Sequence, residues 1–254
     1  MKLEKLNNKR DIGFFCNCCL AMKRTTITSD LREGLVCPSC GLNSRQRAIR
    51  FAAQKLRIKR FLRNKNLSIV GVSDGAQIEN AFMKRFGSFY NNFEFHTEPF
   101  LDITKVDDTL QSTADIVTCS EVLEHVQPPI EPAFLRLFKL LIPGGWLIFS
   151  VPHGGINARH VEHFPIMTNS VLIKEPTQIL RGIDLDGNER EFTELVFHGG
   201  AGATLEYRVF SEASIRDNLQ KSGFKKIRVQ SNNRLIGCMW EPWSRVWVAQ
   251  RPAE

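Results

Sequence analysis

The chain has 254 residues and a mass of 29.0 kDa, with 43% hydrophobic and 24% charged residues. These ordinary globular values exclude global disorder and collagen-like repeats, and the length suits one large domain, alone or with a small module. The net charge of +7 is uneven: residues 1–65 hold sixteen Lys/Arg against four Asp/Glu, and the rest carries a net −5. Such asymmetry suggests two modules, the basic one facing a polyanion or an acidic partner.

Lys2, Lys5, Lys9 and Arg10 precede an apolar stretch, Ile12–Met22. Asn17 and three cysteines interrupt it and no small-x-small cleavage site follows, so it reads as a ligand-bearing segment rather than a secretion signal. The expected compartment is the cytoplasm. The longest apolar run, Leu140–Val151, is broken by Pro143, Gly144 and Gly145 and is too short to span a bilayer.

Five of the seven cysteines lie between positions 16 and 40. Cys16 with Cys19, and Cys37 with Cys40, form C-x2-C-x17-C-x2-C, the spacing of a four-thiolate zinc site. A two-residue spacer lets both sulfurs of a knuckle reach one tetrahedral ion, and Pro38 and Gly41 suit the second knuckle's turn. Four thiolates leave no position for water, so the expected role is structural, in a zinc ribbon over residues 1–43. Cys18 is spare, or a substitute for Cys19. Residues 44–65 then read as a basic amphipathic linker helix, suited to an RNA or an anionic surface, or docking its apolar stripe (Ala48, Phe51, Ala52, Leu56) on the main domain.

From Leu67 strands and helices alternate. Leu67–Val72 is a strand, Ser73–Ala76 a turn and Gln77–Phe86 a helix; Asn92–Thr97 and Pro99–Ile103 are short extended runs. Ala114–Ser120 is a strand and Ile130–Leu141 a helix whose Phe134, Leu137, Phe138 and Leu141 belong in the core. Pro143-Gly144-Gly145 turns into the apolar strand Trp146–Val151. A helix from Ser211 to Lys221 is closed by Gly223, and Lys226–Gln230 and Val246–Ala249 are the last strands. This alternation implies a mainly parallel sheet covered on both faces.

In that order stand VGVSDG after the first strand, FLDIT, CSEVLEHV and LIPGGWLIFSVP. The series resembles class I S-adenosylmethionine-dependent methyltransferases of the broad group that includes the ubiquinone-biosynthesis type. The resemblance implies an α/β, Rossmann-like methyltransferase sheet over residues 66–254, with S-adenosylmethionine as cofactor. Gly71, Ser73, Asp74 and Gly75 then bend beside the cofactor's amino-acid end. Glu98, with Glu94 as the weaker candidate, meets the ribose, Asp102 the adenine amino group, and Ser120 and Glu121 close the strand edge. Gly71 stands where the family usually has an acidic residue, and the gap from Gly75 to Asp102 leaves the second crossover helix abbreviated or absent.

Residues 152–210 form an insertion where the acceptor would be recognised, holding His153, His160, His163 and His198 and a hairpin signal at Asp186-Gly187. An oxygen or nitrogen acceptor must lose a proton, and His163, oriented by Glu162, is the first candidate base, followed by His153 and His198. Glu124 and His125 are candidates for orienting substrate or for packing. The expected activity is methyl transfer to a small molecule or glycan. The alternatives are RNA methylation through the basic residues 44–65, disfavoured because the ribbon has few aromatics for stacking on bases, and a non-catalytic module on a degenerate fold. Trp240, Trp243 and Trp247 cluster near the end without an assigned role.

Overall fold

The structure is a computed structural model that describes residues 10–27, 31–61, 67–105, 110–153, 158–164, 167–174, 178–184, 186–198, 204–230, 232–238 and 245–253. Residues 1–9 of the expected ribbon, 62–65 of the expected linker, the loop 199–202, Trp240 and Trp243 lie outside the described residues. No helix among the described residues is long and apolar enough to cross a membrane.

Strands β1 (Arg10–Cys16) and β2 (Ala21–Ile27) form an antiparallel hairpin, followed by a short helix α1 (Leu31–Gly34) and the long helix α2 (Ser44–Phe61). The alternating part runs β3 (Ile69–Val72), α3 (Ala76–Phe86), β4 (Tyr90–Phe93), β5 (Ala114–Ser120), α4 (Glu131–Leu140) and β6 (Leu141–Ser150). Short strands β7 (Val161–Glu162), β8 (Thr168–Ile173), β9 (Ile179–Ile183), β10 (Glu189–Phe192), β11 (Phe197–His198), β12 (Thr204–Leu205) and β13 (Arg208–Val209) make the insertion. Helix α5 (Glu212–Lys221), β14 (Lys225–Val229) and β15 (Val246–Gln250) complete the chain.

The central sheet has the order β14-β15-β6-β5-β3-β4. Strands β4, β3, β5 and β6 are parallel, while β15 runs antiparallel to β6 and to β14. Strands β3 and β5 are buried along their whole length, as strands covered on both faces must be. From β3 the chain moves first to one side, to β4, and then to the other, to β5. The crevice between the carboxyl ends of β3 and β5 is therefore the topological switch point, where open α/β sheets bind ligands. Among the described residues no helix joins β4 to β5, in keeping with the short gap in the sequence.

Each face of the sheet has its own core. Val70 and Val72 point to the side where Phe134, Leu137 and Leu140 of α4 and Ile215 and Leu219 of α5 pack with Trp247. Ile69 points to the other, against Ile78 and Phe82 of α3 and Ala48, Ile49, Ala52, Ala53 and Leu56 of α2. The helix expected as a basic linker is thus one of the sheet's two covering helices on that face. Three of its arginines follow it inward: Arg47 and Arg50 are buried, and Arg45 is nearly so.

Two local expectations change. Pro143, Gly144 and Gly145 lie inside β6, at an irregularity in its pairing with β5, rather than in a turn before it. Gly144 has φ +78°, and a Cβ on Gly145 would come within 2.8 Å of the Ile142 carbonyl oxygen. The expected run Asn92–Thr97 shortens to β4, with Glu94 bridging back to Phe100. The hairpin expected at Asp186-Gly187 joins β9 to β10, with Gly187 at φ +85°. The insertion carries a small core of Phe164, Met167, Leu180, Leu205 and Tyr207.

Candidate active site and cysteine cluster

The turns at each end of the cysteine spacing fold the two knuckles against one another. The sulfurs of Cys16, Cys19, Cys37 and Cys40 all lie within 4.8 Å of one another. The Cys16–Cys40 pair is 3.7 Å apart and the Cys19–Cys37 pair 3.8 Å. A tetrahedron with zinc–sulfur bonds of about 2.3 Å has edges of about 3.8 Å, so this donor set fits a zinc ion and closes its shell. Cys18 stays outside the group. The centre would carry two net negative charges, and the buried guanidiniums of Arg47 and Arg50 stand beside it. Arg47 donates to the carbonyls of Leu35, Leu42 and Gly237 and stacks on Phe14 at 4.3 Å, while Arg50 donates to Asn17. The cluster is anchored to the sheet's covering helix by arginines that sequence reading placed on a solvent or nucleic-acid face.

At the switch point the first strand ends in a tightly packed bend. A Cβ on Gly71 would stand 2.7 Å from Asn92 Oδ1 and 2.8 Å from Asp74 Oδ2, and closer still to the Tyr90 hydroxyl, so only glycine fits. Ser73 adopts φ +50° and donates its N–H to the Phe93 carbonyl. Asn92 pins the next residue from both sides, accepting from Asp74 N at 3.1 Å and donating to Asp74 O at 3.1 Å. Asp74 is 1% exposed; its Oδ2 accepts from Tyr90 and Thr118, while Oδ1 is buried without a hydrogen-bond partner. Burial pushes its carboxyl up to about 6. Helix α3 begins at Gly75 with no side-chain cap, leaving its N-terminus to receive an anion. An orphaned carboxylate oxygen beside an uncapped helix N-terminus fits an amino acid's ammonium and carboxylate, the end of S-adenosylmethionine assigned to this bend.

Glu94 directly follows β4 and accepts from Asn92 Nδ2 at 2.7 Å, next to the bend. Glu98 is exposed, and its carboxylate turns into its own loop to accept from Phe100 N at 3.0 Å. Asp102 lies farther along the same segment, accepting from the N–H and hydroxyl of Thr104.

At the end of β5, Ser120 Oγ sits 3.0 Å from Ser150 Oγ, and Ser150 donates to Glu121 Oε1 at 2.8 Å. Glu121 takes φ +58°, a conformation that costs a non-glycine residue energy and tends to persist at functional sites. Its other oxygen is paired with Arg32 of α1, and Arg45 donates to Ser120. Burial pushes the Glu121 carboxyl up, but the charges of Arg45 and Arg32 together outweigh it and hold it at about 2. Glu124 is fully buried and pushed well above the usual carboxylate range, first by burial and then by Glu121.

The insertion folds back on this edge: Tyr207 N donates to Glu124 O, His163 N to Tyr207 O, and His125 Nδ1 lies 2.7 Å from Leu205 O. His163 Nε2 is 3.2 Å from Glu206 Oε1. Glu162, expected to orient His163, instead holds His160 at 2.9 Å and Arg208 at 2.6 Å. His153 is 2% exposed, joined to Phe210 by a strand bridge, and its imidazole is pulled down to about 4 by burial and by Arg245. It is neutral near pH 7 and packed into the fold. The side chain of His198 lies outside the described residues. Sequence reading missed Glu206, Arg32, Arg45, Tyr90, Asn92 and Thr118; only Asn92, at the end of a strand beside the glycine turn, had a local signal.

A family described as "Methyltransferase domain" matches residues 36–229. Among solved structures, the chain is similar to an amino pentose methyltransferase from Micromonospora echinaspora involved in calicheamicin biosynthesis. The identity is 16%, covering 83% of this chain and 92% of that one, with a TM-score of 0.49. It is similar to DesVI of Streptomyces venezuelae at 12% identity, covering 82% and 93%, with a TM-score of 0.47. A 1,6-didemethyltoxoflavin N1-methyltransferase from Burkholderia thailandensis matches at 15% identity, 81% and 78% coverage and a TM-score of 0.45. No curated protein matches.

Proposed function

The chain belongs to the methyltransferase-domain family, and from that premise we propose that it methylates an oxygen or nitrogen of a small-molecule or glycan acceptor. S-adenosylmethionine supplies an electrophilic methyl group on a sulfonium; the protein's own residues align it with the acceptor and exclude water. In this reading the bend Gly71, Ser73, Asp74 and Gly75 and the start of α3 hold the amino-acid end. Glu94 takes the ribose hydroxyls, Asp102 the adenine amino group, and Ser120 and Glu121 bound the methyl end.

The observation that carries the acceptor assignment is the His163–Glu206 pair, 3.2 Å apart in an insertion stitched onto the carboxyl edge of β5. A carboxylate beside one ring nitrogen leaves the other free to take the acceptor's proton, the arrangement of an oriented general base. The insertion has its own apolar core, which suits a cap over a small acceptor. Arg45, Arg47 and Arg50 of the basic helix are engaged inside the protein, which supports the small-molecule or glycan reading over RNA. The four-thiolate cluster is assigned a structural zinc.

Methyl transfer from labelled S-adenosylmethionine tests this reading with panels of amino- and hydroxyl-bearing small molecules, glycans and total RNA. Label should appear in a small-molecule or glycan panel. His163→Ala should lower kcat by about 10²–10⁴-fold, the range for loss of a general base, with S-adenosylhomocysteine binding retained. Labelling of RNA alone, or an unchanged kcat in the variant, would contradict it.

A further inference from the structure

The cysteine module packs against the switch-point edge of the sheet. A Cβ on Gly41, in the second knuckle, would lie 3.8 Å from Gln77 in the first turn of α3, beside the bend assigned to the cofactor. From the same module α1 sends Arg32 to the Glu121 carboxylate and, at 2.9 Å, to Glu33. Glu33 accepts from Asn43 and, at 2.8 Å, from Arg45 Nε. Arg45 donates to Ser120, Ser120 lies against Ser150, and Ser150 donates to Glu121. The chain of contacts therefore closes on itself: one guanidinium from α1 and one from α2 hold Ser120, the last residue of β5, and Glu121, which follows it.

We propose that Arg32 and Arg45 are positioning residues for Glu121 and Ser120, so that the metal-filled cysteine module completes the cofactor site. Three features fit this role better than simple packing. Arg32, Arg45 and Glu121 have side chains only 10–12% exposed, so the pairs are little screened by water. Glu121 stands in a left-handed conformation that surrounding contacts must hold in place, and the Arg32 pair is one of those contacts. The helix carrying Arg32 lies between the second-knuckle cysteines and the β1–β2 hairpin, and it has only four residues, too few to keep its shape without the cluster that brackets it. Filling the cluster fixes α1, α1 fixes Arg32, and Arg32 fixes Glu121.

This inference rests on the cofactor site assigned above, and one titration series separates the two. S-adenosylhomocysteine is titrated calorimetrically into zinc-loaded wild type, Arg32→Gln, Arg32→Lys, Glu121→Gln and the Arg32→Gln/Glu121→Gln double variant. Zinc content and melting temperature are measured on each preparation. Arg32→Gln should raise Kd about tenfold or more, the scale for losing one partner of a buried charge pair. Arg32→Lys keeps the charge without the planar fork, so it should lose less, and it serves if Arg32→Gln fails to fold. The double variant should bind no worse than the poorer single variant, because both changes break one interaction. A merely structural arginine would instead give losses that add. Wild-type binding with unchanged affinity in both Arg32 variants, or additive losses, overturns the inference and leaves the cofactor site standing. A wild type that does not bind overturns both.

Discussion

Gly71 shows what one residue does at the switch point. The bend is filled by Tyr90, Asn92, Thr118 and the Asp74 carboxylate, and no volume remains for a methyl group. Gly71→Ala should destabilise the protein by about 1–3 kcal/mol through overpacking. It should appear as a lower urea midpoint with an unchanged slope, and an unchanged midpoint would show that the bend can yield. The acidic side chain at this bend is Asp74, which Asn92 and Thr118 hold in place from the neighbouring strands. The glycine and the aspartate were legible in VGVSDG. The position of Glu94 beside the bend was not, because it depends on where β4 ends, and extended runs mark such ends poorly. His163 was legible as a histidine in an insertion, but its partner Glu206 lies on another strand and leaves no trace in local spacing.

At the scale of elements, α2 is the instructive case. Its apolar stripe was visible in sequence at helical spacing, and Ala48, Ala52 and Leu56 of that stripe pack on the sheet, while Phe51 stays half-buried beneath Lys55. Its charge said less: a run of arginines reads as a solvated or polyanion-binding face, yet Arg47 is wholly buried among backbone carbonyls. The carbonyl oxygens at a turn-rich module have few strand or helix partners, and a guanidinium with five donors can satisfy several at once. Arg47→Met keeps the stem's packing on Phe14 but leaves the carbonyls of Leu35, Leu42 and Gly237 without this donor. It should cost about 2 kcal/mol or more. Thermal melting of the zinc-loaded variant measures this, and a melting temperature equal to that of wild type would mean that the carbonyls find other partners.

For the whole molecule, the sequence order of strands and helices was enough to anticipate the mainly parallel sheet and its two covered faces. Knuckle spacing was enough to anticipate the cysteine cluster, because ligands two residues apart carry their geometry with them. What sequence could not reveal is how the two parts meet. Arg32 reaches Glu121 only because the hairpin, α1 and α2 fold over the carboxyl edge of the sheet, a contact between distant segments with no periodic signal. Together these contacts join the cysteine module to the edge of the sheet at which we propose the cofactor binds.

The most direct test of that account is calorimetric titration of S-adenosylhomocysteine into the zinc-loaded protein, beside the same titration of Asp102→Ala. Saturable micromolar binding to the wild type, weakened or lost in the variant, is the predicted result. A folded, zinc-loaded wild type that releases no heat of binding would contradict it.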